Sequence, residues 1–180
     1  MMQFELPQDE SSIIKVIGVG GGGSNAVNHM YRLGIKGVDF IVCNTDKQAL
    51  EKSPVPNKIQ LGNSLTKGLG AGSIPEVGRE AALESVEDVR KYLEDNTQIV
   101  FITAGLGGGT GTGSAPVIAE VAKKVGALTV GIVTLPFNME GHRRYENAII
   151  GLEKMEQVVD TLIVIPNEKL LELAPDLPLH

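Results

Sequence analysis

Short apolar runs alternate along the chain with longer stretches in which apolar residues recur every three or four positions. Residues 13–19 form a continuous apolar run between a polar leader and a group of glycines, which predicts a buried strand. Residues 24–33 then place apolar side chains at helical spacing. The alternation continues to about residue 173, so the pattern predicts repeated strand–helix units.

The boundaries follow from the same pattern. Strands are predicted at 13–19, 38–43, 58–61, 99–103, 127–134 and 162–165. Helices are predicted at 24–33, 46–52, 73–96, 114–125, 140–159 and from 167 to about 173. In the helix after residue 72, Ser73 and Glu76 form a capping box, and Pro75 occupies the first turn, where its missing N–H costs nothing.

Strands of continuous Val, Ile and Leu character between amphipathic helices are typical of an α/β fold: a Rossmann-like parallel sheet with helices on both faces. Crossovers in such a sheet are right-handed, so the loops after the strands gather along its carboxyl edge. Ligands bind at that edge in open α/β sheets. The chemistry of the protein should therefore depend on those loops.

The loop after the first strand contains four consecutive glycines, Gly20 to Gly23, followed by Ser24 and Asn25. Glycine lets the backbone approach a ligand, and a helix N-terminus offers free N–H groups and a positive dipole end. Together these features favour a bound phosphate. The alternative is a tight strand-to-helix turn with Ser24 as the N-cap.

Two further glycine loops follow strands or precede helices. Residues 104–114 carry six glycines together with the hydroxyls of Thr110 and Thr112, and no lysine of a Walker-type loop follows. Residues 67–72 carry three glycines, which is weak support by itself. Three such loops at one sheet edge predict a polyphosphate ligand, with main-chain dipoles, a metal ion and a distant arginine balancing its charge.

The remaining edge loops are polar. Asn44 and Asp46 end the second strand, where a ribose partner would lie, although Asp46 could equally cap the following short helix. After the strand that ends near Thr134, Glu140 could accept from ribose and Arg144 could reach a phosphate or base. The alternative for these two is a solvated first helical turn.

Composition and charge exclude several classes of protein. Of 180 residues, 22 are glycine, and 14 of those 22 are Gly18, just before the first loop, and the glycines of the three loops. The formal charge of −6 argues against non-specific nucleic-acid binding. One cysteine, Cys43, permits no internal disulfide and no cysteine metal site and is predicted to be a buried small hydrophobe.

Residues 1–12 lack the features of a signal peptide, and the apolar stretch 127–137 is too short to span a bilayer. We therefore expect a soluble cytoplasmic protein with no membrane insertion.

Five motifs in order carry a family resemblance. Gly-Gly-Gly-Thr-Gly-Thr-Gly at 107–113 is similar to the signature loop of the tubulin superfamily. Residues 15–25, 42–46, 66–72 and 136–144 resemble the bacterial cell-division family FtsZ rather than eukaryotic tubulin. The resemblance runs from residue 13 to about 173. It implies a GTP-binding domain of a cytoplasmic GTPase that polymerises head to tail into the filaments of the division ring, where other division proteins are possible partners.

The resemblance also implies residue roles and a cofactor set of GTP or GDP, with Mg²⁺ accompanying the nucleotide and no metal ligand assigned. Residues 21–25 would contact the diphosphate and nucleoside, 109–111 the phosphates, Ala71 and Gly72 the γ-phosphate, Glu140 the ribose and Arg144 the nucleotide. The candidate nucleotide-binding residues are Gly20, Gly21, Gly22, Gly23, Ser24, Asn25, Asn44, Asp46, Ala71, Gly72, Gly107, Gly108, Gly109, Thr110, Gly111, Thr112, Thr134, Pro136, Glu140 and Arg144.

In the family, a central helix, an acidic loop that activates water in the neighbouring subunit's site, and a second domain follow this region. The sequence is therefore expected to comprise a flexible polar leader at 1–12 and a GTP-binding domain at 13–180, without its own catalytic residues. Such a chain should bind nucleotide, hydrolyse GTP negligibly and cap one end of a full-length filament.

Two alternatives come from other classes of protein. Gly18, Gly20 and Gly23 satisfy the G-x-G-x-x-G fingerprint, and Asp39 or Asp46 follows about 20 residues later, as in NAD(P)-dependent oxidoreductases. Such an enzyme would not need the loop at 105–113, and it would need a proton-transfer residue, for which there is no candidate. The other alternative is an interaction module with a vestigial site.

Overall fold

The computed structural model describes residues 12–136 and 141–166. In these ranges the strands are β1 (Ile14–Val19), β2 (Asp39–Asn44), β3 (Asn57–Gln60), β4 (Ile99–Gly105), β5 (Leu128–Leu135) and β6 (Thr161–Pro166). The helices are α1 (Gly20–Arg32), α2 (Lys47–Lys52), α3 (Asn63–Thr66), α4 (Pro75–Glu84), α5 (Val86–Leu93), α6 (Thr110–Lys124) and α7 (His142–Val158).

All the strands join one sheet in the order β3-β2-β1-β4-β5-β6, and each neighbouring pair is parallel. The chain first builds outward from β1 through β2 to β3. It then crosses to the other side of β1 and builds from β4 to β6. The direction of winding therefore reverses between β1 and β4, and the predicted parallel sheet is confirmed.

Helices cover both faces of the sheet, as the apolar strands require. On one face, α1 and α2 bury a small core that includes Val16, Val27 and Leu50. On the other face, α4 to α7 cover a larger core in which Ile102 and Ile118 are 0–1 % exposed. The predicted Rossmann-like architecture is therefore correct.

Both helices that follow the long glycine loops begin earlier than the sequence predicts. Helix α1 starts at Gly20 rather than Ser24, and α6 starts at Thr110 rather than Ser114. Glycine has poor helix propensity, so a local pattern assigns these residues to loops. Packing overrides that preference here, since Gly20, Gly23 and Gly111 lie so close to other backbone that a β-carbon would overlap it. Ser24 consequently lies inside α1 and is not its N-cap.

The region after residue 62 differs most from the prediction. Ser73 has φ +60° and does not cap α4, which has Ile74 as its N-cap and no side-chain capping bond, although Pro75 is the first helical residue. The single helix predicted at 73–96 is two helices divided at Ser85. The Ser85 hydroxyl accepts a hydrogen bond from Gly62 N at 3.0 Å, a tertiary contact that no local pattern reveals.

A buried ion pair joins β1 to β2 at the amino edge of the sheet. The Lys15 side chain is 1 % exposed, and its Nζ lies 2.7 Å from Asp39 Oδ2 and 5.0 Å from the centre of the Tyr92 ring. Ser12 N donates to the same carboxylate at 2.9 Å. Burial raises the pKa of Asp39, but the hydrogen bonds from Lys15 and Ser12 outweigh that effect and leave the pKa below its ordinary value.

Several predicted features lie outside the described residues. These are the leader up to residue 11, the loop at 137–140 with Glu140, and the helix start at 167–173. Within the described ranges, every helix is too short or too polar to cross a bilayer.

Candidate functional site

An open cleft of about 590 Å³ lies at the carboxyl edge of the sheet, where the loops after β1 and β4 separate. Because the winding reverses between these two strands, α1 leaves toward one face and α6 toward the other. This switch point is where ligands bind in open α/β sheets, and the volume is typical of small-molecule sites. The cleft is lined by Gly21, Gly22, Ala26, Gly105, Leu106, Gly108, Gly109, Thr110, Gly111, Thr134, Pro136 and Arg144.

Two helix N-termini meet at this cleft. Gly21 and Gly22 belong to the first turn of α1, and Thr110 and Gly111 belong to the first turn of α6. The first N–H groups of any helix lack partners within it, and the aligned peptide dipoles place partial positive charge there. A β-carbon built on Gly20 would lie 2.9 Å from Gly111 N, so the two turns are in contact. The cleft is therefore suited to an anion.

The glycines of these turns separate into two groups. A β-carbon on Gly23 would lie 2.2 Å from Thr103 O, and one on Gly111 would lie 2.4 Å from Gly105 O, so packing excludes side chains at both positions. By contrast, β-carbons on Gly21 and Gly108 would meet no atom within 4 Å. Neither of these residues has a positive φ. The fold would accept alanine at both, although both line the cleft.

The threonines of the second loop have different surroundings. Thr110 is half-buried and lines the cleft, and its Oγ1 lies 2.7 Å from Thr45 Oγ1. Thr112 is 2 % exposed, and its hydroxyl accepts from Gly107 N at 2.8 Å. Thr112 therefore stabilises the conformation of the loop from its buried side. Ser24 is also buried, 7 % exposed, and its Oγ has no hydrogen-bond partner among the described residues.

The loop after β2 is tied to the third glycine loop. Asn44 Oδ1 accepts from Thr45 N at 2.8 Å, and Asp46 Oδ1 accepts from Ala49 N at 3.2 Å, which makes Asp46 the N-cap of α2. This was the alternative interpretation of Asp46. Lys47 N donates to Gly68 O at 3.0 Å, so the start of α2 holds the segment that leads to α4.

The third loop in turn touches the second. A β-carbon on Gly109 would lie 2.8 Å from the Cβ of Ala71, and Ala71 is buried. Gly72 is exposed and has φ +61°. The structure thus brings the three predicted glycine loops together at one edge.

The far side of the cleft is formed by the end of β5 and the start of α7. Thr134 and Pro136 line it, and Arg144 supplies a positive charge from the first turn of α7. Gly107 packs against this wall: a β-carbon there would lie 3.1 Å from Arg144 O. Glu140, the predicted ribose partner, lies outside the described residues.

The predicted site residues that the structure describes, all except Glu140, therefore fall into two sets. Those that line the cleft are Gly21, Gly22, Gly108, Gly109, Thr110, Gly111, Thr134, Pro136 and Arg144. Those that support or flank it are Gly20, Gly23, Ser24, Asn25, Asn44, Asp46, Ala71, Gly72, Gly107 and Thr112. Three further residues, Ala26, Gly105 and Leu106, line the cleft but are not among the predicted site residues. Ala26 could have been predicted because it lies one helical turn after Gly22.

The cleft offers hydrogen-bond donors suited to an anion. Among residues 12–136 and 141–166 there is no group of three or more His, Cys, Asp or Glu side chains that could hold a metal ion. Cys43 is fully buried, as predicted, and burial raises its pKa to about 12. The donor set at the cleft, of main-chain N–H groups, the hydroxyls of Thr110 and Thr134, and Arg144, matches phosphate oxygens.

Comparisons with known proteins agree with this arrangement. The family model "Tubulin/FtsZ family, GTPase domain" matches residues 13–175. The cell division protein FtsZ 1 of Thermococcus kodakarensis is 58 % identical over 167 residues, which cover 93 % of this chain and 44 % of that protein. The cell division protein FtsZ of Aquifex aeolicus is 60 % identical over 161 residues, 89 % of this chain and 44 % of that protein.

Solved structures show the same fold. An empty FtsZ dimer from M. jannaschii superposes with a TM-score of 0.88 at 52 % identity, over 96 % of this chain and 50 % of that one. A CetZ2 protofilament from Haloferax volcanii with bound GTPγS gives 0.78 at 27 % identity, over 86 % of this chain and 49 % of that one. The chain spans about half the length of the relatives it matches. With its loops, sheet order and sequence all in agreement, the chain belongs to the tubulin/FtsZ family and carries that family's GTPase domain.

Proposed function

We propose that the cleft between β1 and β4 binds a guanine nucleotide, GTP or GDP, as part of an FtsZ-type GTPase. The observation that carries the proposal is the pair Gly21 and Gly108. Both line the cleft, and the fold has room for a side chain at each. A ligand that must approach the backbone closely explains why neither has one. The guanine base is inferred from the family.

The chain's own groups would act mainly on phosphate charge. The first turns of α1 and α6, whose N–H groups lack partners within their helices, both line the cleft, the Thr110 hydroxyl adds a donor, and Arg144 adds a cation. Preorganised donors of this kind bind phosphates and stabilise the charge that develops during phosphoryl transfer. Mg²⁺ would then be held largely by phosphate oxygens and water, since the donors here are mainly amides. The oxidoreductase alternative has no support from the family match.

A Gly108→Ala variant separates ligand contact from folding. The added methyl would meet no protein atom within 4 Å but would occupy space next to a bound phosphate. We expect the affinity for GDP to fall about tenfold or more, which corresponds to about 1.4 kcal/mol. The melting temperature without nucleotide should change by less than about 2 °C. Calorimetric titration of nucleotide-free protein with GDP, and circular dichroism melting, measure the two quantities.

Wild-type protein titrated with NAD is the matched control. Stabilisation by NAD and not by GTP or GDP would favour an oxidoreductase, and no shift with any nucleotide would favour an interaction module. An unchanged GDP affinity in Gly108→Ala would place the nucleotide elsewhere.

We further propose that the nucleotide edge is a head-to-tail contact surface between FtsZ-type subunits, in the cytoplasm at the division ring. The segment 62–74 beside the cleft exposes large apolar side chains: Leu69 is 86 % exposed, Leu65 50 % and Ile74 43 %. Exposed apolar side chains of this density mark interaction sites. The solved dimer and protofilament of relatives are consistent with such contacts.

Addition of the chain to assembling Aquifex aeolicus FtsZ tests this surface. A sub-stoichiometric amount should reduce light scattering, because a bound chain would block one filament end. Leu69→Ser should abolish that effect, since it removes the most exposed apolar side chain of the segment. Leu128→Ser is the control, because Leu128 is 50 % exposed at the opposite edge of the sheet. Equal loss in both variants, or no effect of the wild-type chain, would contradict the proposal.

A further inference from the structure

A buried hydroxyl lies directly behind the cleft. Thr45, the residue after β2, is 0 % exposed, and its Oγ1 lies 2.7 Å from Oγ1 of Thr110, the first residue of α6. Thr110 lines the cleft, whereas Thr45 does not. The two hydroxyls therefore form a pair with one member in the protein interior and the other at the site.

The hydrogen bond between the two hydroxyls has a favoured direction. Each hydroxyl has one hydrogen to donate and can also accept. If Thr110 donated to Thr45, the Thr45 hydrogen would have no acceptor among the residues that the structure describes, and Thr110 would turn only lone pairs toward an anion. If Thr45 donates to Thr110, its own hydrogen is satisfied, and the Thr110 hydrogen is free for the cleft. Leaving a buried donor without a partner is costly, so the second arrangement is favoured.

The position of Thr45 is fixed by its backbone. Thr45 N donates to Asn44 Oδ1 at 2.8 Å, in a buried bond, and the preceding strand β2 is paired with β1 and β3. Thr66 Oγ1 lies 3.5 Å from Thr45 O, from the segment that leads to the third glycine loop. The hydroxyl of Thr45 is thus presented from a rigid element.

We propose that Thr45 is a positioning residue: it holds the Thr110 hydroxyl as a donor directed at bound phosphate. The inference rests on the proposed nucleotide function and extends it to a residue that does not touch the ligand. A hydroxyl that accepts one hydrogen bond is polarised and becomes a stronger donor in the next. Thr45 therefore raises affinity through Thr110 and makes no contact of its own.

The test compares two substitutions at the same position. Thr45→Val keeps the side-chain shape and removes the hydroxyl, whereas Thr45→Ser keeps the hydroxyl and removes a methyl group. We expect Thr45→Val to lower the GDP affinity of nucleotide-free protein about five- to tenfold. We expect Thr45→Ser to keep the affinity within about twofold but to lower the melting temperature, because it leaves a small cavity. Calorimetric titration with GDP and circular dichroism melting give both values.

Two further variants complete the experiment. Thr129→Val removes another fully buried threonine hydroxyl, which donates to Ala127 O far from the cleft, and should leave GDP affinity unchanged. In a Thr110→Val background, Thr45→Val should have no additional effect on GDP affinity, because the Thr110 hydroxyl that Thr45 positions is absent.

The outcomes separate the two proposals. Wild-type protein that does not bind GDP would overturn the proposed function. Wild-type binding with unchanged affinity in Thr45→Val would overturn only the role of Thr45. Equal losses of affinity in Thr45→Val and Thr45→Ser, or an additive loss in the double variant, would show that Thr45 supports the fold and does not orient Thr110.

Discussion

Replacing Gly23 with alanine is expected to destabilise the protein by about 3 kcal/mol and to weaken nucleotide binding at the same time. The new β-carbon would lie 2.2 Å from Thr103 O and 3.3 Å from the Cα of Ala104. Both are backbone atoms of β4, so no side-chain rotation relieves the overlap. Helix α1 would have to move away from the sheet and would take the first-turn N–H groups of the cleft with it.

Chemical denaturation followed by circular dichroism measures the loss of stability, and a GDP titration at low denaturant measures the loss of binding. Gly21→Ala is the matched control, because it adds the same methyl group two residues earlier, where nothing lies within 4 Å. Its free energy of unfolding should stay within about 0.5 kcal/mol of wild type. Equal stability of both variants would mean that α1 does not pack against β4 as closely as the structure indicates.

The second large effect concerns the ion pair at the opposite edge of the sheet. Asp39→Ala would leave the buried Lys15 ammonium without its carboxylate. Breaking one side of a fully buried pair costs about 3–5 kcal/mol, and we expect about 2–3 kcal/mol here, since Asp39 keeps 30 % exposure. The double variant Lys15→Met with Asp39→Ala should be more stable than Asp39→Ala alone, because no unpaired charge remains.

The pH dependence gives an independent readout. Because the pKa of Asp39 is lower in the folded protein than in the unfolded chain, its contribution to stability is fully present above the unfolded pKa. That contribution is lost as the pH falls through the folded pKa. The stability difference between wild type and Asp39→Ala should therefore shrink in acid. A double variant as unstable as Asp39→Ala, or a difference that persists below the folded pKa, would contradict this account.

Much of the fold follows from the sequence because the strands are apolar on both faces. The run at 13–19 and the run at 99–103 each predict a buried strand, and right-handed crossovers then place their loops at one edge. That geometry, together with the glycine content, was enough to predict that the three glycine loops meet at one edge of the sheet, where the structure has a cleft. The meeting of the loops could be predicted because it depends on strand order and loop position and not on any side-chain contact.

The boundaries that failed depend on tertiary contacts. The sequence predicts that α6 starts at Ser114, because the glycines at 107–113 have poor helix propensity and favour a loop. The structure extends α6 back to Thr110 and leaves Pro116 in its interior. Ser73 looked like an N-cap, yet its left-handed backbone follows from the turn around Gly72. Neither feature is visible in local periodicity.

The separation of the site glycines was also beyond the sequence. Gly20 to Gly23 are the same residue type in the sequence. Only the structure shows that packing excludes a side chain at Gly23 and allows one at Gly21. The same applies to Thr45, which the sequence placed between two candidate residues without distinguishing it. Its role depends on a partner 65 positions away in the chain.

A cleft whose donors are mainly peptide N–H groups has a practical consequence for how binding can be observed. The chain contains no tryptophan, so intrinsic fluorescence offers little signal. The contacting groups are themselves amide protons, each of which gives its own resonance in a nitrogen-correlated NMR spectrum. In a protein of 19.1 kDa, the amide chemical shifts of Gly21, Gly22, Thr110 and Gly111 should change when phosphate binds. Binding can therefore be followed at the contacting groups without an added label.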